Sequence, residues 1–125
     1  MPVHRTWHAI RELNRRVNDM GEPLALTDEP RARLIDAASN VAITPDAVAL
    51  AFQSNASASE LLGEVTKRIR EGLWRLSRAL TEATRRQEAG GLDGARAPLI
   101  ELLAIEVVSF YRELAQAQLE ALGEP

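Results

Sequence analysis

At 125 residues with a formal charge of −3, the chain has the length of one domain and lacks the bulk positive charge that draws proteins to nucleic acid. Hydrophobic residues make up 46% and aromatics only 4%, so the core has to be aliphatic, which favours packed helices over a sheet of aromatic and β-branched strands. The lack of cysteine excludes disulfides, thiol nucleophiles and thiolate-held metals, and no stretch approaches the roughly 18 apolar residues of a membrane span.

In chain order, Trp7, Ile10, Leu13, Val17 and Met20 recur at helical spacing, predicting an amphipathic helix over residues 4–20 that ends at Gly21. "GEPLAL" is a connector. Asp28 or Glu29 is the expected cap of a second helix, with Pro30 in its first turn and Leu34 and Ile35 facing inward. "ITPDAVALAF" repeats the device, with Thr44 as N-cap and Pro45 at the first helical position, and is expected to end near "QSN". "SASE" (Ser57 to Glu60) has capping-box spacing and opens a long helix to about Glu88, after which "AGGLDGA" is a turn and Asp93 a cap for the last helix. The expected architecture is therefore all-α. It is a helical bundle built on a long antiparallel hairpin (about 58–89 and 95–122) with three shorter N-terminal helices, in a single domain over 1–125.

The run "LLAIEVVSFYRELA" (Leu102 to Ala115) is nearly all apolar around one carboxylate, Glu106. Written as heptads, Leu62, Val65, Ile69, Gly72, Leu76, Ala79 and Ala83 form one seam, and Leu103, Val107, Phe110, Leu114, Ala117 and Ala121 the other. Arg68 and Arg75 then flank the first seam, and Glu106 and Glu113 the second, on the same side of an antiparallel pair. A turn at Gly90-Gly91 places Arg75 beside Glu106 and Arg68 beside Glu113. Glu106 is thus expected to be the enclosed member of a structural ion-pair ladder. An acid–base role would need a second titratable group and a cleft, and the sequence offers neither.

Two features lie off this pattern. Trp74 falls about 160° around its helix from Leu76, so it is either covered by the N-terminal helices, the preferred reading, or an exposed partner anchor. Leu102 and Ile105 also lie outside the seam, facing either the rest of the bundle or a partner. On the first helix, His4, His8, Arg11 and Arg15 share a polar face. No acidic third ligand joins the two histidines, so no metal is expected. Arg11 and Arg15, with Arg85 and Arg86 on the long helix, are the basis for nucleic-acid binding, which is the runner-up function. "AGGLDGA" has neither P-loop nor dinucleotide form, and no nucleophile elbow is present. No catalytic residue and no cofactor are expected.

The segments "VAITPDAVALAFQSNASASELLGEVTKRIREGLWRLSRAL" and "GLDGARAPLIELLAIEVVSFYRELAQAQLE", with the Trp-containing first helix and "GEPLAL", resemble the DUSAM domain, a paralogous family of myxobacteria. The resemblance spans almost the whole chain. It departs at Gly90-Gly91, where Gly-Asp is the family's pattern, and at Ser109, where a Pro often follows "EVV" and would kink the final helix. It implies a bacterial cytosolic helical domain and transfers no catalytic residue or cofactor. With an N-terminus, "MPVHRTWHAIREL", that lacks the apolar core of a signal peptide, these observations lead to the expectation of a cytoplasmic, non-catalytic interaction or regulatory module. It would bind a protein partner or self-associate, with Trp74, Leu102, Ile105, Arg11 and Arg15 as candidate contacts.

Overall fold

The computed structural model describes residues 3–123, with side chains from Trp7 onward. Six α-helices account for nearly all of this span: α1 (Val3–Asn14), α2 (Asp28–Asn40), α3 (Pro45–Ala51), α4 (Asn55–Glu88), α5 (Leu92–Ile105) and α6 (Ser109–Gly123). A π-helical turn, Arg15–Asp19, prolongs α1. The chain divides into two compact units, Met1–Ile69 and Arg70–Pro125, and α4 runs through both.

In the first unit, Trp7, Ile10 and Val17 are buried, as their spacing predicts, whereas Met20 lies exposed beyond the end of the stripe. The helix closes where Met20 N–H reaches the Arg15 carbonyl (3.0 Å), and Gly21 then takes the left-handed conformation (φ +76°). Thr27, not Asp28 or Glu29, is the N-cap of α2. Leu34 is buried, but Ile35 is 44% exposed, because α2 buries the Leu34, Ala37 and Ala38 stripe and Ile35 falls beside it. Thr44 caps α3 as expected, its Oγ1 accepting from Ala47 N–H at 3.2 Å. The capping signal of α4 sits three residues earlier than "SASE": Ser54 Oγ accepts from Ser57 N–H (3.1 Å), and Ser57 Oγ instead donates to the Ala51 carbonyl. The π turn meets α4 closely at Gly63, where Asn18 donates to the Ser59 carbonyl at 3.1 Å.

The second unit holds the largest departure. The heptad seam of α4 is buried as predicted, through Gly72, Leu76, Ala79 and Ala83. The second arm, expected as one helix over 95–122, is broken at Glu106–Val108 into α5 and α6, which pack against each other. The residues that face inward also depart from the expected seam, on both sides of the break. Leu99, Leu102, Val108, Tyr111, Ala115 and Leu122 are buried, while Val107, Leu114, Ala117 and Ala121 are exposed. Pro98 is accommodated inside α5. It has no N–H for the Gly94 carbonyl four residues back, and Arg86 of α4 fills the gap, Nη1 donating to that oxygen at 3.0 Å.

Candidate functional site

Glu106 is the buried charged residue among the described ones, 3% exposed, and it occupies the break between α5 and α6. Its backbone has left the helix (φ −69°, ψ 135°), so the first amides of the next segment lose helical partners. The side chain replaces them: Oε2 accepts from Val107 N–H (3.0 Å) and Val108 N–H (2.9 Å), and Oε1 accepts from Arg75 Nε at 3.2 Å. The carbonyls stranded at the end of α5 are met from the other side. Arg112 Nη1 donates to the Leu103 carbonyl and, at 3.0 Å, to that of Glu106.

Gly72 makes room for this knot. A Cβ there would stand 2.8 Å from Glu106 Oε2 and 2.8 Å from the Tyr111 ring, inside contact distance of both. With three donors on its two oxygens, the Glu106 carboxylate acts as a structural capping group. Sequence reasoning passed over Arg112 and the close approach at Gly72. The visible signal was a glycine at a seam position otherwise filled by Leu, Val, Ile and Ala.

Of the paired charges expected from the sequence, Arg75 and Glu106 meet. Arg68 and Glu113 do not make the second rung, since that register needs an unbroken second helix. Arg68 bonds Glu64 (3.0 Å) and the Val41 carbonyl (2.9 Å) instead. There it serves the C-terminus of α2, where Ala42 is held at positive φ (+64°).

The exposed candidates gather elsewhere on the second unit. Trp74 is 62% exposed and Ile105 63%, while Leu102 is buried at 4%. Trp74, Arg78, Pro98, Glu101, Leu102 and Ile105 line a shallow groove of 290 Å³ between α4 and α5. The Arg78 guanidinium stacks over the Trp74 ring at 4.7 Å. At the far end of the groove Glu82 is held to about 2, well below the ordinary carboxylate value of 4.5, first by its hydrogen bond from Arg85 and then by that from Arg86. On the first unit, a second groove of 360 Å³ between α2 and α3 is floored by Ile35, Ile43, Val48 and Phe52, with Arg31 over the Phe52 ring.

Arg15 is held by Glu12 (Nε to Oε2 3.1 Å), which raises the guanidinium's affinity for its proton and lowers that of the carboxyl. Arg11 and His8 are exposed, and the His4 side chain lies outside the described residues. Among the described residues no three His, Cys, Asp or Glu side chains are grouped to hold a metal, and no helix is long and apolar enough to cross a membrane.

Taken together, the broken second arm, its capping glutamate and the exposed α4–α5 groove define an all-α helical domain. The chain belongs to the family described as protein of unknown function (DUF2379), whose model matches residues 5–122. No curated protein and no solved structure matches it.

Proposed function

We propose that the domain is a non-catalytic interaction or regulatory module, cytoplasmic and bacterial, that engages a protein through the α4–α5 face. The exposed pair Trp74 and Ile105 is the observation that carries this reading. A tryptophan held on rigid helices, stacked by an arginine and bordering an apolar groove, is the side-chain type that dominates binding energy at protein interfaces. The full commitment of Glu106 to hydrogen bonds supports the same reading, because the buried carboxylate already has a structural task. The likeness to DUSAM domains agrees with it, since large paralogous sets of small domains suit partner-specific regulation.

Capture from native lysate on immobilised protein tests the reading. A partner retained by the natural chain should be lost on Trp74→Ala, with a cost of about 2 kcal/mol, roughly thirtyfold in affinity. Capture that Trp74→Ala and Ile105→Ala both leave unchanged would remove this face from the proposal. The nucleic-acid alternative is less well supported, because Arg15 is tied to Glu12 and Arg16 to Glu22. A salt-dependent mobility shift abolished by Arg11→Ala with Arg15→Ala would restore it.

A further inference from the structure

We infer that the occupant of the α4–α5 groove is a second copy of the same face, related by a two-fold axis that runs along the groove. This deepens the interaction-module reading and rests on it. The inference comes from which charges in the groove lack an ion-pair partner. Arg75 is spent on Glu106, and Glu82 on Arg85 and Arg86. That leaves one cation, Arg78, and one anion, Glu101, lining the groove without an ion-pair partner among the described residues. Arg78 comes from α4 and Glu101 from α5.

The two helices are antiparallel neighbours, pinned at one level by Arg75 to Glu106 (3.2 Å) and at another by Arg86 to the Gly94 carbonyl (3.0 Å). On the register set by these pins, Trp74 falls level with Ile105 and Arg78 with Glu101, and all four line the groove. A rotation of 180° about the groove's long axis keeps each level and exchanges the two helices. The second copy's α4 then lies over α5, antiparallel to it, and α5 over α4. Each Trp74 meets Ile105 of the other copy, and each Arg78 meets Glu101 of the other copy. Four helices close over the two tryptophans, and both apolar and charged complements are satisfied twice. A surface bearing one free charge of each sign, on opposite helices at one level, is self-complementary in a way that a groove of single sign is not.

Sedimentation equilibrium of the full chain from about 1 μM to 1 mM tests this. The natural protein should move from the mass of one chain toward twice that mass across the range. Arg78→Glu and Glu101→Arg should each weaken the association at least tenfold, because each reversal sets like charges together at both symmetry-related contacts. The double variant, Arg78→Glu with Glu101→Arg, should recover most of the loss. All four side chains concerned are exposed, and circular dichroism of each variant confirms that the fold is kept. A natural chain still monomeric at the top concentration overturns the inference, as does a double reversal that fails to recover association. Should the chain be monomeric while Trp74→Ala still abolishes capture of another protein, self-association falls and the interaction module stands. Should neither occur, both fall.

Discussion

At the scale of single residues, Gly72 and Glu106 show how local preference yields to a neighbour. Glycine inside a helix ordinarily costs about 1 kcal/mol relative to alanine, so Gly→Ala on a helix is expected to stabilise. At Gly72 the sign reverses, since the added methyl would meet Glu106 Oε2 and the Tyr111 ring at 2.8 Å. Gly72→Ala should lower stability by about 1–3 kcal/mol, read as a fall in the urea midpoint at unchanged slope. Removing the Glu106 side chain strands two backbone amides and the Arg75 guanidinium together, so Glu106→Ala should cost about 3–5 kcal/mol. Arg75→Ala should cost less, because the carboxylate keeps both amides and the Arg75 side chain is 28% exposed. A double-mutant cycle on the pair should give a coupling of about 1.5–3 kcal/mol, and a value near zero would make the 3.2 Å contact energetically idle.

At the scale of helices, the second arm was the least legible element. Its residues have strong helical spacing throughout, and nothing between Leu103 and Ser109 is a breaker by composition. The break exists because a glutamate can serve as its own cap there and an arginine six residues on can close the preceding carbonyls, which requires partners set by tertiary packing. Since α6 begins at Ser109 and that amide has no helical partner, proline fits the position's geometry. Ser109→Pro should therefore be neutral or stabilise by about 0.4–1 kcal/mol in thermal unfolding; a loss of several degrees would show that the break is not the preferred conformation. The Pro98 position makes the converse case. Arg86→Met should destabilise by about 1 kcal/mol by leaving the Gly94 carbonyl without its donor, and the loss should shrink in a Pro98→Ala background, where the helix supplies that donor itself.

At the scale of the whole molecule, most ion pairs among the described residues join residues three or four apart on one helix and are solvent-facing, among them Glu12 with Arg15, Glu29 with Arg33 and Glu82 with Arg85. Such pairs hold little stability and are screened by salt, so raising the ionic strength should leave the unfolding midpoint nearly unchanged. Acid acts differently. The Glu82 carboxyl is lowered in the folded chain, so its contribution is full above the ordinary value of 4.5 and is lost as pH falls toward about 2. A side-chain titration by NMR should place the Glu82 midpoint near 2 in the natural chain and return it toward 4.5 when Arg85 and Arg86 are both replaced by Gln. A Glu82 midpoint of 4.5 in the natural chain would show that the two guanidinium contacts are not populated in solution.

Across these scales, spacing and local signatures were enough to give the helical class, the buried seam of α4, the caps with a local signature such as Thr44 before Pro45, and the meeting of Arg75 with Glu106. Each rests on spacing within one helix or on a turn short enough to fix the direction of the next helix. Long-range packing set the bend of the last arm, the inward turn of Leu102 beside an exposed Trp74 and Ile105, and the placement of Arg68 at the end of α2. The bend and the placement of Arg68 depend on which donors reach a stranded carbonyl or amide. Heptad phase survives only as long as the helix that carries it, so one residue able to cap its own chain was enough to reset every position beyond Glu106.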